Sequence, residues 1–237
     1  MSEFGEILRE RIVELDTHLT FIAALEASAV GRGTGAHTAP VDSEPVNILK
    51  SGFLVHLYNV VEAVMEKVLE EVAVAAKVHT PREWCDGLIR EWALGRVNLS
   101  RDLSVHDAET RFVGLVQEAI DRMAMTQLSI RRRSGNWSHD EVAQLAGSLT
   151  CPLTVAEPVR VAACVSVFED GMPPMKYLRH KRNRLAHGNE SFLSGARHMP
   201  ATRLAELRDP VVAYMLDVVA SFDLYIDRKG FLHPMGP

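Results

Sequence analysis

Cysteine is scarce in this chain. Cys85, Cys151 and Cys164 are far apart and odd in number. No Cys-x-x-Cys occurs, so the sequence encodes neither a zinc knuckle nor a disulfide framework, and a reducing cytosol fits this usage. Aromatic residues make up only 6%. The N-terminal stretch is polar and charged, unlike a leader, and no uninterrupted apolar run is long enough to cross a bilayer. A cytoplasmic protein with no membrane partner is therefore expected. Among ten histidines there is no His-x3-His pair with acidic company on one helix face, so neither a metal nor another cofactor is expected. Internal repeats and low-complexity segments are absent. Positive charge is also in deficit: 26 Lys and Arg against 31 Asp and Glu give a net charge of −5. That excludes broad, non-specific nucleic-acid binding. A local basic site survives the argument, because attraction to phosphate acts over roughly a Debye length of 8–10 Å.

What is present is apolar periodicity. The 237 residues are 47% hydrophobic, ample for one substantial core. Residues 2–30 repeat Leu8, Ile12, Leu15, Leu19 and Ile22 in steps of four and three, a bundle-helix pattern. A loop is expected at 31–45. Residues 45–78 carry the longest helical signal, with Phe53, Leu57, Val60, Val61, Val64, Val68 and Val72 on one wide face. Length favours helix there despite the β-branched residues. Thr80-Pro81-Arg82-Glu83 starts a shorter helix over 81–94. Residues 95–108 look like loop, and 109–130 are either helix or a strand pair. Arg131, Arg132 and Arg133 form a basic turn, and Ser138 caps a helix running to about 149. No element is assigned to 150–171. Asp209-Pro210 starts the last helix, separate from 202–208 and running to about 227, with Val211, Met215, Val218, Val219, Phe222 and Ile226 inward. Met123, Met125 and the three tryptophans are expected in the core. The expected fold class is all-α: one domain over 1–237, a helical bundle with core segments near 46–78 and 174–228 and an elaborated middle region near 95–150.

The chemistry concentrates at 176–197. Lys176, Arg179, His180, Lys181, Arg182, Arg184 and His187 crowd together in a chain that is otherwise acidic. Pro173-Pro174 suits a helix start and Gly188-Asn189 suits its closure. Leu178 and Leu185, seven apart, share a buried edge, which predicts a helix over 174–187 with a basic solvent side. Within it, Arg182 and His187 stand as Arg-x4-His, with the polar Asn183 directly after the arginine. The same spacing occurs at Arg32 and His37 and at Arg101 and His106, but the first spans Gly33 and Gly35 and the second a weakly periodic stretch. Only the third pair has a capped helix with an apolar edge. Arg179, Lys181, Arg184 and Arg197 are the accompanying cations, expected to attract phosphate.

Arg-Asn-Arg-Leu-Ala-His-Gly in a helical chain of this size resembles the HEPN superfamily. Leu57-Tyr58-Asn59-Val60-Val61-Glu62-Ala63, Ser134-Gly135-Asn136 ahead of a helix, and His187-Gly188 followed by Ser191-Phe192, Gly195 and Arg197 look like one branch of it, the MAE-type, RNase toxin-like HEPN proteins. The resemblance covers roughly 48–230, apart from 80–130. It implies a HEPN-like bundle and an endoribonuclease. It also implies a homodimer with two motifs facing one cleft, and a role as toxin or effector with an antitoxin or defence-system partner protein. Position 189 is Asn, where nucleotidylated HEPN toxins carry tyrosine, so a nucleotidyltransferase antitoxin is not implied.

The residues themselves suit such chemistry. RNA supplies its own nucleophile, the 2′-OH, so an enzyme needs only a proton acceptor, a donor for the leaving 5′-oxygen and a cation on phosphorus. His187 is the expected acid–base, since histidine titrates near neutrality. Arg182 is the expected phosphate clamp. The two diverge by about 140° around an ideal helix. Asn183, four before His187, is placed to hydrogen-bond its ring. Glu62 has two readings: a carboxylate that holds Arg182, or a plain surface group. The alternative to a nuclease is a catalytically inactive HEPN module that binds RNA, a nucleotide or a protein partner.

Overall fold

The computed structural model describes residues 2–30, 43–97, 105–120, 128, 130 and 136–233. About 75% of the described residues are helical, and no strand occurs among them. The fold is all-α. In chain order the helices are α1 (Glu3–Val30), α2 (Ser43–Lys77), α3 (Asp86–Val97), α4 (Val105–Ile120), α5 (His139–Ser148), α6 (Glu157–Arg160), α7 (Pro174–Ala186) and α8 (Ala201–Asp227).

α2 is the spine. Its expected apolar face is buried throughout: Phe53, Leu57, Val60, Val61, Val64, Val68 and Val72 are each at most 3% exposed. Each such side chain contributes about 1.5–3 kcal/mol by leaving water. The helix packs on α1, α7 and α8. By length and composition α2 could cross a membrane, although Glu62, Glu66 and Lys67 interrupt its apolar run, as the absence of an uninterrupted apolar stretch implied. However, 56% of its most apolar window is buried inside the bundle, as in the core helix of a soluble protein. α1 joins the core through Phe4, Leu8, Leu15 and Ile22, so the bundle has one more long member than the two expected core segments contain.

Several expectations change. The helix anticipated over 81–94 begins as a 3-10 turn, Pro81–Glu83, closed by the reciprocal Thr80–Glu83 capping box; α3 proper starts at Asp86. α4 decides the ambiguity at 109–130 for helix up to Ile120, with Phe112, Val113 and Val116 exposed. The unassigned 150–171 holds α6 and a π-helical turn, Val161–Val165. The two terminal segments split at Asp209-Pro210 are one helix, α8, with Pro210 inside it. An internal proline costs about 3 kcal/mol, but Leu204, Leu207, Val211 and Tyr214 form one unbroken buried stripe across it. α5 begins as expected behind Ser138, whose side chain and Glu141 form a capping box. Trp84, Trp92 and Trp137 are all buried. Of the loop expected at 31–45, residues 43–45 already belong to α2, while 31–42, the basic turn at 131–133, and Met123 and Met125 lie outside the described residues.

Candidate functional site

α7 begins on Pro174, with Pro173 extended before it, and buries Met175, Tyr177, Leu178 and Leu185. It ends one residue earlier than expected, at Ala186, with His187 as the cap. The His187 N–H donates to the Asn183 carbonyl at 3.0 Å, and the Gly188 N–H to Leu185 at 3.2 Å. Gly188 takes φ +69°, the left-handed closure that glycine enters without strain. The following turn docks on α2, where the Ala196 N–H donates to Ser51 Oγ at 3.0 Å. A side chain at Gly195 would meet the ends of the Leu185 and Ser51 side chains at 2.7 and 2.9 Å, so both would have to shift to admit one.

Arg182 points from α7 onto α2. One Nη2 hydrogen bond reaches Glu62 at 3.1 Å, and one from Nη1 reaches Asn183 Oδ1 at 3.1 Å. The guanidinium lies over the Tyr58 ring, 4.7 Å from its centroid. The remaining N–H groups of Arg182 make no hydrogen bond among the described residues, and its side chain is 22% exposed. Glu62 is thus the holding carboxylate, the first of its two readings. Tyr58 stands four residues before Glu62, on the same face of α2. Its hydroxyl accepts the Trp137 N–H at 2.6 Å, and burial pushes its pKa up to about 12. Asn183 completes the chain: its Nδ2 donates to Asn136 Oδ1 at 2.8 Å.

His187 is exposed at the helix end, and its imidazole has no hydrogen-bond partner among the described residues. The expected side-chain contact from Asn183 is not formed, because that amide is already occupied by Arg182 and Asn136. The divergence of about 140° is not overcome within one chain. Arg182 and His187 make no hydrogen bond to each other.

The expected phosphate-attracting face is corrected more heavily. Lys176 pairs with Asp140 at 3.1 Å, Arg179 with Glu141 at 2.8 Å, Lys181 with Glu190 at 2.8 Å and Arg184 with Glu190 at 3.3 Å. Lys181 is not on the solvent side at all: it is 6% exposed. The local positive charge seen in the sequence is therefore largely neutralised by acids from α5 and the turn after α7. Arg197 and His180 are exposed, and their side chains have no partner among the described residues.

Two site residues, Tyr58 and Asn136, stand in stretches that carry the resemblance, but nothing in the sequence assigned them a role in the site. The i,i+4 relation to Glu62 points to Tyr58. Nothing local points to Asn136, which is 47 residues from Asn183. No group of three or more His, Cys, Asp or Glu among the described residues is arranged to hold a metal ion. Compared with protein-family models, with curated proteins and with solved structures, the chain matches none.

Proposed function

We propose that this protein is a metal-independent endoribonuclease of the HEPN type, acting in the cytosol as a homodimer. The observation that carries this reading is the immobilised guanidinium. Two edges of Arg182 are fixed by Glu62 and Asn183, one face lies on Tyr58, and other N–H groups remain available. A preorganised donor of that kind suits the extra negative charge of a pentacoordinate phosphorus. His187 takes the proton of the 2′-OH. That oxygen attacks the adjacent phosphorus, and the 5′-oxygen leaves with a proton, giving a 2′,3′-cyclic phosphate. One chain offers one such imidazole, so the homodimer supplies the second, one His187 as base and its counterpart as acid. The role as toxin or effector, with an antitoxin or defence-system partner, follows from the resemblance alone.

The neutralised cations of α7 favour a second reading, an inactive helical module that binds RNA, a nucleotide or a protein. Incubating purified protein and its His187→Ala variant with total RNA and a chelator separates the two. Cyclic-phosphate ends from the wild type only support the nuclease. RNA binding without cleavage by either selects the inactive module.

A further inference from the structure

The amide of Asn183 is held at both ends. Its oxygen accepts from Arg182 Nη1 at 3.1 Å, and its nitrogen donates to Asn136 Oδ1 at 2.8 Å. A side-chain amide rotates readily about its last torsion unless both ends are engaged, because that torsion is broad. Arg182 has only donors, so it needs the oxygen of Asn183 turned toward it. Asn136 supplies the acceptor that holds the nitrogen on the opposite side. The next residue is anchored as well: Trp137 is buried, and its N–H donates to the hydroxyl of Tyr58, the ring beneath the same guanidinium. Asn136 and Trp137, in the segment ahead of α5, thus support Arg182 along two routes, one through Asn183 and one through Tyr58.

We propose that Asn136 is a positioning residue for anion recognition at Arg182, acting through Asn183. The idea rests on the reading of Arg182 as a phosphate clamp. Asn136 itself is exposed, so its replacement is expected to leave the fold intact. A double-mutant cycle tests it, because a residue that acts through another adds nothing once that other is gone. Asn136→Ala, Asn183→Ala and the double variant are compared with wild type and Arg182→Ala. Two readouts are used: the rate of RNA cleavage, and the rise in thermal midpoint produced by inorganic phosphate. Asn136→Ala is expected to lower the cleavage rate about 5- to 30-fold with little change in KM, and to reduce the phosphate-induced shift. The double variant should match Asn183→Ala alone. Penalties that multiply would overturn the proposal, as would an Asn136→Ala protein indistinguishable from wild type in both readouts. If wild type binds phosphate through Arg182 but cuts no RNA, the nuclease reading falls while the cycle on phosphate still decides the role of Asn136. A wild type that neither cleaves nor responds to phosphate overturns both.

Discussion

Lys181 and Arg182 are neighbours in sequence and opposites in circumstance. Lys181 is buried against Glu190, which also receives Arg184, and that cluster ties the end of α7 to the turn behind it. Arg182 is fixed by Glu62, Asn183 and the face of Tyr58, yet among the described residues it keeps donors in reserve, with about a fifth of its side chain in solvent. One cluster closes a structure; the other holds a cation ready. Density of basic residues is therefore a poor guide to where an anion is attracted. The acids that face each cation decide it, and here they silence all but a few.

The sharpest way to break this contrast is on the open side. His187→Ala should lower RNA cleavage by about 10²- to 10⁴-fold, the range for loss of a general acid–base, with stability unchanged within about 0.5 kcal/mol because the ring is exposed. Cleavage assays beside urea denaturation check both halves. On the closed side, Lys181→Met should cost about 3 kcal/mol, since it strips a near-buried carboxylate of its main partner while Arg184 retains part of the pairing. Equilibrium unfolding measures that, and a loss under about 1 kcal/mol would mean that the two clusters are energetically alike. Tyr58→Phe sits between them. It keeps the ring under Arg182 but orphans the buried Trp137 N–H, so a cost of about 1–2 kcal/mol is expected with cleavage largely preserved.

The smallest effect is acid dependence. Burial alone raises the pKa of Glu190 and Glu141. Lys181 and Arg184 beside the first, and Ser138 and Arg179 beside the second, more than reverse it, so both carboxyls titrate below their ordinary range. Groups depressed in this way contribute stability in full above the unfolded value of about 4.3, and lose it as pH falls through the lower folded value. Thermal midpoints followed down through about pH 4 should drop, and the curve of Glu190→Gln should be flatter there than that of wild type.

Much of the fold was legible from periodicity. The buried faces of α1, α2 and α8 largely follow their apolar spacing, with Ile12 and Ile226 only half-buried, and the start and end of α7 follow its prolines and Gly188. The misreadings were local rules overruled from outside. Pro210 looked like a helix start because proline favours that place; a continuous buried stripe carried the helix through it. Residues 109–120 looked partly like strands because Phe112-Val113 and Leu115-Val116 are β-formers; the chain coils them into α4. At the site, Arg182, Asn183, His187 and Glu62 were singled out from the sequence, and the Glu62 pairing is formed. Asn136 was noticed only as part of the resemblance, with no link to Asn183, and the acids opposite Lys176, Arg179 and Lys181 were not matched to them.

The division has a physical cause. Helices are made of contacts three and four residues apart, so the sequence alone determined that this is an all-α chain with a capped, arginine- and histidine-bearing helix near its C-terminal end. Which charges cancel depends on how helices dock. Glu62 reaches Arg182 across 120 residues, and Asn136 reaches Asn183 across 47. Only the packing of α7 against α2, beside the segment ahead of α5, chose Arg182 as the held cation with donors to spare.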